Sequence, residues 1–415
     1  MKHKKILAAI FILALFFRII FVFITPAFQQ PDEEAHFKYV LHMAAGSELP
    51  VQGHFYSEYF QPPAYYFLAS FLLNFAGLFT QNILHQVLAV RLFSVILGML
   101  TLYFTYKISS LLLKEDYLIL SAAAFVAFLP SNISSNANIT NANLADFLST
   151  LIVYMLLAII AKGRSLKKVI LLGIVAGISL LTRLSAIPAV MMIPAAFALK
   201  EYPNIKKILK PILIIAVIAF AVSGWLFFRN FTLYGDFLGY NAMKLSTPPD
   251  NREHNLIFAA RLIGWTFVSF WAAFGRTNNI FIGNLLSLKG AIIFAAAYFL
   301  IFLISILSVT GLYIFFRKYR KNSRILSSMQ KKAVVIFVLL IALMWVSFIS
   351  FNLYEFQPQG RYFFPAMPAI AVLFAFGIYS LSSKINKRKL FLLFIDFFIA
   401  IDLASVLSVV LYYLK

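Results

Sequence analysis

Asp32, Glu33 and His36, in the run Gln29-Gln30-Pro31-Asp32-Glu33-Glu34-Ala35-His36-Phe37, are the residues of this chain best suited to chemistry. They follow directly on an apolar stretch, residues 6–26, about as long as the 20 or so residues needed to cross a hydrocarbon core. Carboxylates beside a membrane are costly to desolvate, so their clustering here points to a reactive surface. A merely solvated acidic loop is the plain alternative. Pro31 suits the first position of a helix, the three acids fill its positively polarised first turn, and Gly46 is a plausible stop. At about 100° per residue, Asp32, His36, Tyr39 and Met43 share one face, and Phe37, Val40, Leu41 and Ala44 share the other. That geometry turns Asp32 and His36 toward a common cavity, leaves Glu33 intermediate and points Glu34 away. Asp32 is therefore the candidate reactive carboxylate, with Glu33 a supporting or metal-binding one. If the acids only cap the helix, none of this chemistry follows.

What positions these groups is a membrane bundle. The chain is 62% hydrophobic and 12% charged, with a mean hydropathy of +0.87, whereas a soluble domain carries roughly 25% charge. Its 46 Phe and 20 Tyr fit interfacial aromatic belts. The absence of Cys excludes disulfides, thiolate metal sites and cysteine nucleophiles. A net charge of +21 would suggest nucleic acid in a soluble protein, but topology explains it here. Apolar runs fall near 6–26, 87–108, 117–133, 143–161, 168–182, 184–199, 208–228, 289–316, 333–352, 363–381 and 390–413, with a marginal one at 62–79. Six basic clusters hold 24 of the 36 Lys and Arg: Lys2 to Lys5, Lys107 with Lys114, Lys162 to Lys168, Lys200 to Lys210, Arg317 to Lys332 and Lys384 to Lys389. All six fall on one side only if 62–79 does not cross, and the positive-inside rule then makes that side the cytoplasm. The reading is an all-α polytopic protein of about eleven spans, with 62–79 amphipathic or re-entrant. It forms one domain over 1–415 with no separate soluble domain. The N-terminus is cytoplasmic, and the first span is a retained anchor.

This topology makes the non-cytoplasmic loops 27–86, 131–142, 229–288 and 353–362 the functional ones. The cytoplasmic connections are short and basic and carry no nucleotide-binding glycine motif. Juxtamembrane helices are expected in both long loops. Trp265, Phe267, Phe270, Trp271 and Phe274 suggest that one of them is interfacial.

The order of motifs is more specific than any one of them. An N-terminal span is followed by Pro-Asp-Glu-x-Ala-His, then Gln61-Pro62-Pro63-Ala64-Tyr65-Tyr66, then Arg91-Leu92 opening the next span. This resembles the GT-C superfamily of membrane glycosyltransferases and is similar to protein O-mannosyltransferases and to bacterial aminoarabinose transferases acting on lipid A. Gln359-Gly360-Arg361-Tyr362-Phe363-Phe364-Pro365 resembles the Gly-Arg-Tyr-x-x-Pro signature of a bacterial branch of that superfamily. The large C-terminal soluble domain of many members is missing, so acceptor selection would fall to the loops.

The resemblance implies a polyprenyl-phosphate sugar donor, attacked outside the cytoplasm by the hydroxyl of a glycan, lipid or protein acceptor, with inversion at C1. The family's first-loop catalytic Asp matches Asp32. Such a transfer needs a base on one side of C1 and neutralisation of the phosphate leaving group on the other, a task for arginine forks. The candidates are Arg361, Arg183, Arg229 and Arg91, at non-cytoplasmic span ends. Arg361 comes first, because Gly360 lets backbone approach a ligand and the motif matches. Arg183 is second, since the family often has a basic residue at that turn. Lipid-headgroup anchoring is the alternative for Arg91 and Arg229. An in-line displacement puts the Asp32 carboxylate and the Arg361 guanidinium roughly 6–10 Å apart, bridged by substrate. Asp146, after an Asn-rich loop, reads as structural support with Arg91 or Arg183 as its partner, and Gln61 and Tyr65 as further support. The only cofactor left open is a divalent ion, held by Asp32 and Glu33 if at all, with no convincing fourth ligand.

His254 is too isolated for a metal site, and the sequons at Asn132, Asn138 and Asn230 are of a kind that arises by chance. Asp396 and Asp402 are intramembrane acids without an assigned partner. They support the rival reading, a transporter or flippase of lipid-linked glycans. That reading predicts repeated halves and broken midplane helices in matching positions, which the sequence does not show. A non-catalytic envelope scaffold would not need the face shared by Asp32 and His36. The expected partners are therefore the lipid-linked donor, the acceptor and the bilayer of the inner membrane, with no nucleic acid.

Overall fold

Apolar length sets the architecture of the computed structural model, which describes residues 2–53, 57–246, 249, 252–277, 279–283, 288–381 and 385–414. Lys384 and Asn251 lie outside them. The helices in chain order are α1 (Lys2–Ile24), α2 (Glu33–Ala44), α3 (Ala64–Gly77), α4 (Ile83–Leu112), α5 (Asp116–Ala127), α6 (Pro130–Asn136), α7 (Ala142–Lys162) and α8 (Leu166–Leu180). Then come α9 (Ile187–Glu201), α10 (Ile205–Tyr234), α11 (Tyr240–Ser246) and α12 (Leu256–Ala272). The last four are α13 (Leu288–Lys321), α14 (Ser328–Asn352), α15 (Met367–Leu381) and α16 (Lys387–Tyr413). Among the described residues, nine helical segments are long and apolar enough to span a bilayer, and the bent pair α5 and α6 makes a tenth.

The count of eleven is not reached, and the shortfall is α8. At 15 residues it is only about 22 Å long at 1.5 Å per residue. It still connects the two ends of α7, since Arg164 before it sits by Glu201, and the Thr182 carbonyl after it accepts from Asn141 at the start of α7. The segment expected over 117–133 is broken by 56°. Pro130 lacks an N–H and pushes Leu129 out of the helical region, to φ −78° and ψ 111°. The freed carbonyls are taken by buried side chains: Arg18 donates to Ala127 (3.0 Å) and Val126 (3.2 Å), and Asn132 donates to Val126 (3.0 Å). Backbone inside a bilayer is tolerated in this broken form only where the protein satisfies it. Segment 62–79 forms α3, 14 residues long and shorter than a span. The second long loop was read as helical. It also holds a short antiparallel ribbon, β1 (Ala273–Phe274) with β2 (Ile280–Phe281).

The two ends of the bundle differ in charge. Lys387 pairs with Glu115 (2.6 Å), His3 with Asp116 (3.2 Å), and Gln330 donates to the Leu112 carbonyl (2.9 Å). Arg164 reaches Glu201 (3.6 Å) and the Lys207 carbonyl (2.5 Å). Lys200 donates to the carbonyls of Ile159 and Ile160 and feels the charge of Lys332. The described basic clusters therefore gather at one end. The end of α1, all of α2, and the residues around 183 and 355–362 gather at the other.

Candidate active site

The site begins with a strained residue. Asp32 was expected inside the first turn of α2. It is instead the residue before the helix, with φ 60° and ψ 4°, in the left-handed region that few non-glycine residues adopt. Its side chain makes no capping bond, which removes the capping alternative. It turns to Arg361, whose Nη2 donates to Oδ2 at 2.8 Å. The expected separation of 6–10 Å, bridged by substrate, is not the one found: the two opposite charges close directly on each other.

Arg361 is held by its own neighbours. Gly360 is needed because a Cβ there would lie 2.3 Å from the Phe270 backbone. The close approach that Gly360 allows is to α12 and not to a ligand, and the Gly360 N–H donates to Ser269 Oγ at 2.8 Å. This seats the turn carrying Arg361 against α12.

Asp32 and His36 line one cavity of about 410 Å³ together with Glu58, Gln61, Arg183 and Glu355. A volume in that range suits a small-molecule or cofactor-sized ligand. Ser185, Ser347, Ser350, Gln357 and Tyr362 add hydroxyls and an amide, and Met344 with Phe348 supplies an apolar wall. Arg361 lines a second, smaller pocket, with Gln30, Asn138 and Gln359.

Electrostatics separate the groups. Burial pushes the Asp32 carboxyl up, but the Arg361 guanidinium and, more distantly, Arg183 outweigh it and hold the group below the usual carboxylate value. Burial pushes His36 down to about 3, so the imidazole is neutral across the physiological range. Its Nδ1 shares a hydrogen with the Tyr66 hydroxyl (2.8 Å), and Tyr66 stacks on Tyr39 with centroids 3.7 Å apart. Burial pushes Glu58 up to about 7, and the Asp32 charge adds to the rise. Burial also raises Glu355.

Several expected site residues lie elsewhere. Glu33 does not line the cavity with Asp32. It is buried against Arg91, whose Nε and Nη2 donate to its two oxygens at 2.7 Å each, and the backbone N–H groups of Phe28 (2.8 Å) and Ile139 (3.4 Å) also point at it. Arg91 is correspondingly unavailable to phosphate, since it also donates to the carbonyls of Val22, Thr25 and Pro26. Arg229 donates to the Leu49 and Pro50 carbonyls and fixes the first loop, away from the cavity. Tyr65, on α3, is buried against α4 with its hydroxyl on Ser94 (3.1 Å). Asp146 is buried with Oδ2 unpaired, and Arg91, one of its two expected partners, is taken by Glu33. Among the described residues no group of three His, Cys, Asp or Glu is placed to hold a metal ion.

Gln61 is supporting in a more definite sense than expected. Its Nε2 donates to Glu58 Oε2 (2.9 Å), its Oε1 accepts from Asn141 Nδ2 (3.0 Å), and Asn141 Oδ1 accepts from Arg183 Nη1 (3.3 Å). Arg183 also lies over the Tyr362 ring, 5.9 Å from its centroid. Glu58, Glu355, Asn141, Tyr66 and Tyr362 were all missed as site residues. The available signal was position, because Glu58 and Glu355 sit three and six residues before Gln61 and Arg361 in the two loops already flagged.

Outside the site, His254 is exposed beside Phe258, and Asn132, Asn138 and Asn230 are buried. Trp271 and Phe274 are core residues packed with Phe125, Phe374 and Phe398, and not interfacial ones. Asp396 is exposed on the outer surface of α16. Asp402 is buried, with both oxygens unpaired and Arg18 in electrostatic reach.

The comparisons agree with this architecture. A family model described as dolichyl-phosphate-mannose-protein mannosyltransferase matches residues 61–228. No curated protein matches the sequence. The apo structure of ArnT from Cupriavidus metallidurans superposes with a TM-score of 0.56 at 12% identity, over 94% of this chain and 62% of that one. The same protein bound to undecaprenyl phosphate gives 0.55 at 12% identity, over 91% and 60%. The oligosaccharyltransferase of Archaeoglobus fulgidus, tethered to an acceptor peptide, gives 0.51 at 13% identity, over 97% and 54%. The chain thus spans between half and two thirds of the length of these proteins and shares their overall fold.

Proposed function

We propose that this protein is a membrane glycosyltransferase that moves a sugar from a polyprenyl-phosphate donor to an acceptor hydroxyl at the non-cytoplasmic face, with inversion. The observation that carries this reading is the Asp32–Arg361 pair, opening on a cavity that also presents Arg183. The donor's phosphodiester competes with Asp32 for the Arg361 fork, and Arg183 adds a second positive charge for the leaving group. Losing Arg361 to the phosphate frees Asp32 to engage the acceptor hydroxyl as base. The hydroxyl oxygen forms the new bond to C1, the bond from C1 to the phosphate oxygen breaks, and its electron pair leaves with the lipid phosphate. The apolar wall of the cavity suits the first isoprene units of the lipid. The fold, shared with proteins solved with undecaprenyl phosphate and with an acceptor peptide, supports the same class.

Orientation follows from charge. The basic end of the bundle faces the cytoplasm by the positive-inside rule, which puts the cavity outside. A reporter fused after residue 204 or 324 should read cytoplasmic, and one after 246 external. The same side for 324 and 246 would refute the placement. The activity itself is tested with purified protein and a panel of radiolabelled undecaprenyl-phosphate hexoses and pentoses in native membranes. Transfer of label to an envelope fraction, or its slow release by water, is the expected result.

A further inference from the structure

Of the three carboxyl groups lining the cavity, Asp32 and Glu58 have opposite surroundings. Asp32 is clamped by a guanidinium at 2.8 Å. Among the described residues Glu58 has no ion pair. Its one hydrogen-bond donor is the neutral Gln61 amide, and its link to the nearest cation runs through two amides, Gln61 and Asn141, before it reaches Arg183. We infer that Glu58 is the carboxylate on which the acceptor proton finally rests, with Asp32 the group that touches the hydroxyl and hands that proton across the cavity. This rests on the glycosyltransferase reading above and deepens it.

A base works best when its proton affinity matches the working pH. With Arg361 drawn off to the phosphate, burial raises the proton affinity of Asp32 and suits it to take the hydroxyl proton; once the lipid phosphate leaves, Arg361 closes back on Asp32 and lowers that affinity, so its conjugate acid gives the proton up. Glu58, pushed up to about 7, takes that proton and can release it again to the cavity. The charges facing Glu58 are Asp32 and the neutral His36 from α2 and its cap, Arg183 from the turn before α9, Arg361 from the turn before α15, and Tyr66 from α3. Glu355 faces the same cavity from the end of α14. The step balances. The hydroxyl proton passes to Asp32 and on to Glu58, the acceptor oxygen bonds to C1, and the electron pair of the broken bond leaves on the lipid phosphate as a dianion. Glu58 is then deprotonated for the next turnover.

The test is Glu58→Gln, which still accepts the Gln61 hydrogen bond, with Glu58→Asp as the conservative variant. Difference infrared titration of the protein in nanodiscs should show a protonated-carboxyl band with a midpoint near 7 in the parent protein, absent from Glu58→Gln. Transfer by the parent protein should rise with pH through the same region. Glu58→Gln should lose that rise, falling roughly 10²-fold behind at pH 8, the low end for a positioned proton acceptor, and converging with the parent below about pH 6. Glu58→Asp should keep a rise at a shifted midpoint. Parent-like pH dependence in Glu58→Gln would overturn the role of Glu58 alone, because transfer itself would remain. No transfer by the parent protein with any donor would overturn both readings. A merely structural role would lower activity equally at every pH.

Discussion

Two arginine–carboxylate pairs sit at consecutive residues of the same helix start, and they do opposite work. In the Glu33–Arg91 pair all five guanidinium N–H donors are used, two on Glu33 and three on the Val22, Thr25 and Pro26 carbonyls. The pair is closed to solvent and ties the end of α1, the start of α2 and α4 together. In the Asp32–Arg361 pair one bond is made, Asp32 stays half-exposed to the cavity, and Arg361 Nε has no partner among the described residues. The difference teaches that charge type and spacing do not distinguish a sealed pair from an open one. A carboxylate left half-exposed to a cavity does.

The comparison breaks most visibly at Glu33. Glu33→Gln leaves Arg91 buried and charged with its counter-ion gone, a change that typically costs about 3–5 kcal/mol. Loss of folded protein, read as a large drop in the thermal midpoint in detergent and poor recovery from membranes, is the expected result. Near-parent stability would mean the backbone carbonyls alone suffice for Arg91.

Asp32→Asn should show the reverse profile. The amide keeps size and polarity but cannot take a proton, so transfer should fall by at least ~10². Stability should stay close to that of the parent, because the pair it weakens is open to water. It would also relieve some strain, since Asn tolerates the left-handed region better than most residues. Retained transfer would return Asp32 to a purely conformational role.

How much of this was readable in the sequence divides along the same line. The membrane class, the gathering of the described basic clusters at one end, the shortness of α3 and the common cavity of Asp32 and His36 all follow from local pattern, namely apolar length, charge parity and helical period. The partner of each charge does not. Arg91 meets Glu33 across 58 residues and Arg361 meets Asp32 across 329. Nothing in local spacing says which arginine goes to which acid. Gly360 was legible as a close approach, but what approaches is Phe270, from a helix nearly a hundred residues away in sequence. The bend at Pro130 was equally available from the residue itself, yet 117–133 reads as one span because hydropathy averages over the proline.

Arg361 sharpens the comparison further. Arg361→Lys keeps a charge for Asp32 but loses the planar fork, so it should weaken donor binding less than Arg361→Ala while still impairing transfer. A tenfold loss for Lys, about 1.4 kcal/mol of transition-state stabilisation, with a larger loss for Ala, fits phosphate recognition. Equal effects of the two would point to a steric role. The measurement is KM for the undecaprenyl-phosphate donor alongside kcat.

The smallest effect is a pH dependence of stability, and its sign differs between two neighbours in the cavity wall. His36 has a folded pKa near 3 against 6.5 unfolded, so the unfolded chain binds the extra proton between those values. Its contribution is complete above pH 6.5 and is lost as the pH falls, by about 1.4 kcal/mol per unit at most. Glu58 runs the other way. Its folded pKa near 7 exceeds the 4.5 of the unfolded chain, so the folded state holds the extra proton, and stability is lost as pH rises from 4.5 toward 7. Between about pH 5 and 6.5 the two slopes oppose each other, and the thermal midpoint of the parent protein should change little. Glu58→Gln removes one slope and should unmask a midpoint that falls on acidification, while His36→Asn in that background should flatten it again. A parent protein and Glu58→Gln with the same slope would mean that Glu58 keeps its ordinary proton affinity in the fold, and its contrast with Asp32 would lose its physical basis.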